Sequence, residues 1–262
     1  MPDSVNIVKV INSAKINPAD NAKASGSILL WFKSLIFNIG LYLFLSFSFI
    51  TGRFFVKRDA EAIHAFFVKV NQRIHRWFCF CIGASLKVYD KENILTEPAI
   101  YAIRHESAWE TLAFMSIVPR ACFVLKAELA RIPFFGEIIK RLKMIAINRK
   151  DGLRVISVMS KQAADRLQER FNVMIFPEGT RMSSGQFGKL HAGVYAIYKE
   201  SGAKVVPVAL NSGKVWPRRV FTKYPGCIKV KFMPYIAPGL GKAEFMSLLE
   251  EKIKSGTTSL YE

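Results

Sequence analysis

The longest apolar stretch of the chain lies near its beginning. It runs from residue 28 to residue 50, and residues 34–52 carry no charged side chain. A helix of about 20 apolar residues matches the hydrocarbon core of a bilayer, so this stretch is long enough to cross one. Basic residues lie on both sides of it, and their distribution does not fix an orientation. The alternative interpretation is a buried helix in a protein core.

The following segment, residues 60–83, has a different pattern. Its apolar side chains recur at helical spacing, and Lys69, Arg73 and Arg76 lie among them. A basic amphipathic helix of this kind suits the headgroup boundary of a membrane. We therefore predict membrane-anchoring helices over residues 28–83. They form either a hairpin in one leaflet or a single crossing followed by an interfacial helix.

From about residue 84 the pattern alternates between strands and helices. The longest helix in this part is predicted at residues 151–170, and strands are predicted at 98–103, 121–125, 144–147, 173–176, 205–210 and 228–233. Alternating strands and helices are typical of an α/β domain with a largely parallel sheet. We predict that residues 84–262 form such a domain, with a mixed, largely parallel sheet flanked by helices. Residues 1–27 are polar, and we expect a flexible lead-in rather than a cleaved signal peptide.

The charge balance points to an anionic partner. The chain has 38 basic and 20 acidic residues, a net charge of +18. Such an excess attracts nucleic acid, an anionic membrane surface, or an acidic carrier with its cofactor. The basic residues are scattered and no recognised nucleic-acid motif is present, which disfavours a nucleic-acid-binding protein or a membrane scaffold. The four cysteines lack zinc-site spacing and are predicted to be reduced thiols.

The first candidate for catalysis is a histidine followed by an acid. His105 comes after the predicted strand 98–103, where the carboxyl ends of strands place functional groups. A carboxylate bonded to one ring nitrogen lets the other nitrogen accept a proton. Glu110 can supply that carboxylate if a helix begins near Ser107, because on one continuous helix the two side chains would point about 140° apart. The alternative role of Glu110 is a capping box with Ser107.

The second candidate site follows the predicted strand 173–176. Gly179 permits a sharp bend and the close approach of a ligand. Arg181 can bind a phosphate through two hydrogen bonds, and Arg149, which follows another predicted strand, is a second candidate for the same phosphate. The alternatives are a salt bridge between Glu178 and Arg181 and a solvated side chain at Arg149.

Together these blocks resemble the glycerolipid acyltransferases, specifically the bacterial 1-acylglycerol-3-phosphate acyltransferases. The resemblance covers about residues 85–240 and rests on blocks in the family's order: His105–Glu110, Arg149, Phe176–Arg181 and Val206-Pro207. The hexapeptide Phe-Pro-Glu-Gly-Thr-Arg is the most specific of them. The chain departs from the family at Glu110, where aspartate is usual; the charge is kept and the arm is one methylene longer.

The resemblance implies acyl transfer in phospholipid biosynthesis without an acyl-enzyme. His105, paired with Glu110, would take the proton from the 2-hydroxyl of lysophosphatidate. The hydroxyl oxygen would attack the thioester of acyl-CoA or acyl carrier protein, giving phosphatidate. The donor is a co-substrate, and no cofactor or metal is expected. The predicted substrate-binding residues are Lys126, Arg149, Glu178, Gly179, Thr180 and Arg181.

A lipid acceptor fits the predicted membrane segment. We expect the protein at the inner (cytoplasmic) membrane, with its catalytic domain facing the cytoplasm. Two alternatives keep the same histidine. In one, the acceptor is another lysolipid such as a lyso-ornithine lipid. In the other, the His–Glu pair activates water, and the protein is an esterase or thioesterase.

Overall fold

The computed structural model describes residues 28–55, 60–132, 135–148 and 153–262. The predicted lead-in and Arg149 lie outside these ranges. Along the described chain the elements are α1 (Ile28–Phe55), α2 (Ala60–Ile82), β1 (Ala84–Tyr89), β2 (Ile100–Ile103), α3 (Trp109–Ile117), β3 (Ala121–Lys126), α4 (Phe135–Arg141), β4 (Ile145–Ile147), α5 (Leu153–Gln168), β5 (Asn172–Ile175), α6 (Gly193–Ser201), β6 (Val205–Leu210), β7 (Gly226–Phe232) and α7 (Lys242–Tyr261).

The sheet formed by the described strands has seven members in the order β1-β7-β6-β2-β5-β3-β4. The strands from β6 to β4 run parallel to one another. β7 is antiparallel to β6, and β1 is parallel to β7. This confirms the predicted mixed, largely parallel sheet. Because β2, β5 and β6 are parallel neighbours, their carboxyl ends meet at one edge, where α/β proteins bind ligands.

Each face of the sheet has its own hydrophobic core. Side chains of β2 alternate between the two faces, as the pleat of a strand requires. Tyr101 and Ile103 pack with α1, α2 and α3 on one side. Ile100 and Ala102 pack with α5, α6 and α7 on the other. The two N-terminal helices therefore share one core with the sheet rather than standing apart from it.

Helix α1 is buried along one side and open along the other. Phe37 is fully buried, and a Cβ at Gly40 would overlap the Trp77 indole, so glycine lets α1 approach α2 closely. The opposite side exposes large apolar residues at positions 28, 29, 31, 32, 36, 39, 42, 43, 47 and 50. Residues Ile28–Gly52 are long and apolar enough to cross a membrane by length and composition, with 17% of the most apolar window buried.

One strand differs from the sequence-based expectation. β1, Ala84–Tyr89, was not among the predicted strands, and it pairs with β7, far along the chain. It is an edge strand whose apolar residues alternate with polar ones, so its signal is weak before its partner is known. The predicted helix 151–170 is Leu153–Gln168, a difference at its ends only.

Candidate active site

The structure brings His105 and Glu110 together at the edge of the sheet. β2 ends at Ile103 and α3 begins at Trp109, so a turn rather than a continuous helix separates the two side chains. His105 Nδ1 lies 3.0 Å from Glu110 Oε2. The Glu110 side chain is fully buried, whereas the His105 side chain is 12% exposed. A buried acid thus faces a histidine that retains access to the outside.

Glu110 has partners besides the imidazole. The Ser107 backbone N–H donates to both carboxylate oxygens, at 2.9 and 3.0 Å. The Ser212 hydroxyl, which follows β6 at the same edge, donates to Oε1. The two roles considered for Glu110 therefore coexist: it holds the backbone before α3 and also contacts His105. A carboxylate that accepts a bond from Nδ1–H leaves Nε2 as the unprotonated nitrogen.

The hexapeptide Phe176–Arg181 fixes both the ring and the backbone of His105. The Phe176 ring stacks on the imidazole, with centroids 3.9 Å apart and planes inclined by 19°. The His105 N–H donates to Glu178 Oε2 at 2.9 Å. Its carbonyl accepts a bond of 2.7 Å from the Met182 N–H. Together these contacts position the backbone and the ring of His105.

The hexapeptide itself forms a tight turn. Gly179 has a φ of +67°, a left-handed conformation that favours glycine, and its N–H donates to the Phe176 carbonyl at 2.9 Å. Thr180 is exposed and Arg181 is half-buried. The Arg181 carbonyl accepts a bond from the Arg218 guanidinium. The turn therefore presents Thr180 and Arg181 on the outside while Phe176 reaches inward to the histidine.

Glu178 points away from that outer surface into a buried ionic cluster. Its Oε1 lies 3.5 Å from Arg104 Nη1, so Arg104 occupies the place that the sequence suggested for Arg181 as its ionic partner. Arg104 also donates from Nε to Glu106 at 2.8 Å and from Nη2 to the Gln186 carbonyl at 2.6 Å. Burial raises the pKa of the Glu178 carboxyl, and the Arg104 guanidinium opposes that rise.

Glu106 joins this cluster to the end of the described chain. It accepts bonds from the Tyr261 hydroxyl at 2.9 Å and from the Gly213 N–H at 3.0 Å. Burial raises the pKa of the Glu106 carboxyl, while the charge and hydrogen bond of Arg104 lower it. We refer to Arg104, Glu106, Glu178 and Tyr261 as the buried cluster. It connects the ends of β2, β5, β6 and α7 behind the histidine.

The remaining predicted substrate-binding residue lies on another strand. Lys126 is exposed at the end of β3. Beyond it, a cleft of about 580 Å³ separates the turn at Ala127–Arg131 from α4. Its lining includes Arg131, Lys140 and Arg141 but not His105 or Glu110. The cleft is therefore separate from the His–Glu pair.

Several residues of the site were missed from the sequence. Arg104 and Glu106 flank His105 at the end of a buried strand, a run of charge that could have signalled a buried cluster. Ser212 follows the predicted strand 205–210. The end of a parallel strand is where α/β proteins place functional groups, so its position could also have indicated a role in the site. Tyr261 carried none, because only the tertiary fold brings α7 to Glu106.

Comparison with known proteins gives sequence relatives for this chain. Residues 85–211 match the sequence model of the acyltransferase family. The 1-acyl-sn-glycerol-3-phosphate acyltransferase of Pseudomonas aeruginosa is 36% identical over 168 residues, a match that spans 62% of this chain and 65% of that relative, just under two thirds. The enzyme of the same name from Helicobacter pylori is 24% identical over 235 residues, spanning 88% of this chain and 93% of that relative.

A solved structure shares the fold. The crystal structure of the 1-acyl-sn-glycerophosphate acyltransferase PlsC from Thermotoga maritima aligns with a TM-score of 0.70 at 23% identity. The alignment covers 88% of this chain and 95% of that one. Residues 85–211 thus match the acyltransferase family, and the four sequence blocks lie within or at the borders of that match; the solved structure shows that the fold is shared.

Proposed function

We propose that this protein is a membrane-associated 1-acylglycerol-3-phosphate O-acyltransferase, which converts lysophosphatidate to phosphatidate. The observation that carries the proposal is the contact of 3.0 Å between His105 Nδ1 and buried Glu110, next to the hexapeptide turn. The names of the two bacterial relatives support the acceptor. In this proposal the histidine is the general base and the turn belongs to the acceptor site.

The chemistry follows from the two nitrogens of the ring. Nε2 accepts the proton of the acceptor hydroxyl as its oxygen attacks the thioester carbonyl. The tetrahedral oxyanion then collapses, the carbon–sulfur bond breaks, and the thiolate takes the proton from the imidazolium. Glu110 stabilises the imidazolium through Nδ1–H, as the acid of a Ser-His-Asp triad does. A positioned base of this kind contributes about 10²–10⁴-fold in rate.

We place the acceptor phosphate on Arg181 and Arg149. Arg181 follows a turn whose backbone is held from both ends, by Phe176 on one side and by Arg218 on the other. A guanidinium binds a phosphate with two parallel hydrogen bonds, which orients the acceptor as well as holding it. Thr180, exposed beside Arg181, and Lys126 at the end of β3 complete the proposed substrate-binding set.

We further propose that α1 and α2 anchor the protein in one leaflet rather than across the bilayer. Both ends of α1 contact the rest of the protein. Near its start, Ser34 Oγ accepts a bond of 2.9 Å from the Lys223 N–H. Near its end, the position of a Cβ at Gly52 is 3.5 Å from Ile138 of α4. A helix that crossed the membrane would carry one end away from the domain, so these contacts support a hairpin in one leaflet. The leaflet that we propose is the cytoplasmic one of the inner membrane.

The proposal is tested by assaying the purified full chain with each donor and acceptor in turn. Labelled lysophosphatidate and lyso-ornithine lipid are each offered with acyl-CoA or acyl carrier protein. We expect phosphatidate to form in amounts equal to the thiol released, with at least one of the two donors. Thiol release without acylated product would identify a thioesterase, and acylation of the ornithine lipid alone would reassign the acceptor.

A further inference from the structure

A second apolar surface lies on the catalytic domain, in the loop of residues 217–225 before β7. Its tip is Val220 and Phe221, which are 42% and 43% exposed. The loop is closed at its base by the Tyr224 N–H, which donates to the Val215 carbonyl at 2.8 Å. The tip therefore projects two neighbouring apolar side chains from a closed loop.

The tip is continuous with the open side of α1. The Phe221 ring lies 5.6 Å from the Trp31 ring, centroid to centroid. Trp31 in turn contacts Phe32 edge-on at 5.3 Å. Trp31 and Phe32 are 48% and 50% exposed, so the shared surface remains open. Two parts of the chain that are far apart in sequence thus build one apolar surface.

Buried contacts hold the tip in this place. The Lys223 side chain lies under the tip, and its ammonium donates to the Phe221 carbonyl at 2.6 Å. The same ammonium lies 5.5 Å from the Trp216 ring centroid, and Trp216 packs edge-on against Phe37 of α1. The burial of this ammonium lowers the pKa of Lys223 to about 8. Lys223 therefore joins the tip to α1, because its backbone bonds α1 and its side chain bonds the tip.

The charges around the tip match an anionic lipid surface. Arg218 and Arg219 immediately precede the tip, and Lys33 lies beside Trp31 and Phe32 on α1. Apolar side chains rimmed by cations are typical of segments that lie in the headgroup boundary, with their apolar part among the acyl chains. The base of the loop also reaches the acceptor site, because Arg218 donates to the Arg181 carbonyl.

We infer that the 217–225 loop inserts Val220 and Phe221 into an anionic phospholipid bilayer beside α1, as a second anchor that belongs to the catalytic domain. Through Arg218 this anchor connects the lipid surface to the turn that carries Arg181. The inference rests on the proposed function for α1 as the first anchor and for the link to the acceptor site; insertion of the tip itself is testable without any activity.

Insertion is tested by labelling the full chain at the tip. Phe221→Cys is compared with Tyr235→Cys, a matched control that is also 43% exposed and follows β7. Both are made with Cys79→Ser and Cys227→Ser, which removes the two half-buried thiols. Each protein carries an environment-sensitive fluorophore and is mixed with phosphatidylglycerol-containing vesicles whose acyl chains are brominated. We expect several-fold stronger quenching at position 221 than at position 235, and equal quenching at the two positions would overturn the inference.

The link to the acceptor is tested with Phe221→Ser against Tyr235→Ser. The acceptor is lysophosphatidate, offered either long-chained in vesicles or short-chained and dissolved. We expect Phe221→Ser to lower turnover of the vesicle acceptor several-fold and to leave turnover of the dissolved acceptor unchanged. An equal loss on both acceptors would overturn the link, as would no loss on either. If the unmodified protein acylates neither acceptor, the proposed function fails while the quenching result still decides insertion.

Discussion

His105 and its immediate neighbours in the chain have opposite environments. Arg104 and Glu106 are fully buried and bond to each other, whereas the ring between them remains partly exposed and pairs with Glu110. The chain thus places the proposed catalytic side chain on one side of a turn and a buried ion cluster on the other. The cluster holds the His105 backbone through Glu178, so chemistry and positioning are assigned to different residues. Substitutions at His105 and Glu110 should therefore lower activity, whereas substitutions in the buried cluster should first lower stability.

The largest effect on activity is expected at His105, the proposed general base. His105→Ala removes the proposed base and should lower turnover by about 10²–10⁴-fold, while the thermal unfolding of the protein in detergent stays close to that of the unmodified chain. Steady-state assays with lysophosphatidate measure the rate. Near-normal turnover in a folded His105→Ala protein would remove the histidine from the mechanism.

The partner of the base should show a graded response. Glu110→Gln keeps the shape of the side chain but removes the charge that stabilises the imidazolium; the comparable change in a Ser-His-Asp triad costs about 10⁴-fold in turnover. Glu110→Asp keeps the charge, with an arm one methylene shorter, and should retain appreciable activity. Equal activities for the two variants would leave Glu110 with only its role of holding the Ser107 backbone.

The buried cluster should respond first in stability. Arg104→Met leaves the Glu106 and Glu178 carboxyls buried without their cation, and breaking a buried pair costs about 3–5 kcal/mol. Chemical unfolding in detergent measures this free energy. Arg154→Met, at an exposed position on α5, is the matched control and should change little. If Arg104→Met unfolds like the control, the cluster does not stabilise the fold as described.

The acceptor site should respond in binding. Arg181→Ala removes one proposed phosphate ligand, and a hydrogen bond to a charged group is worth about 1.5–3 kcal/mol. We expect the KM for lysophosphatidate to rise about tenfold or more with a smaller change in kcat. Lys189→Ala, an exposed basic residue nearby in the chain, controls for the loss of net charge. An unchanged KM would mean that Arg181 does not bind the phosphate, and Arg149 would be the remaining candidate.

The smallest effect is expected at the far end of the cluster. Tyr261→Phe removes the hydroxyl that donates to Glu106 but leaves Arg104 and the Gly213 N–H in place. We expect a loss of about 1–2 kcal/mol in stability, with catalysis by the folded fraction nearly unchanged. Tyr235→Phe, at an exposed position, should lose less. A large drop in kcat without a loss of stability would move Tyr261 from the cluster to the reaction.

The sequence predicted the parts of the fold that depend on local patterns. The central strands and α1 are apolar runs and α2 has helical spacing of apolar residues, and the structure has these elements within a few residues of the predicted ends. β1 was missed because its pairing with β7 is long-range. In the site, too, local contacts were predictable from the sequence and long-range contacts were not. The spacing of His105 and Glu110 is local, whereas the bonds of Ser212 to Glu110 and of Tyr261 to Glu106 join residues over a hundred positions apart.

The tautomer of His105 tests the central claim most directly. In ¹⁵N-histidine-labelled protein, nitrogen chemical shifts distinguish protonated from unprotonated ring nitrogens. His75 is an internal reference, because its Nδ1 lies 3.3 Å from the Trp109 indole N–H and must accept that bond. We predict a proton on Nδ1 and a bare Nε2 for neutral His105, the reverse of His75. A bare Nδ1 and protonated Nε2 at His105 would contradict the account, because the nitrogen proposed to accept the proton from the hydroxyl would already carry one.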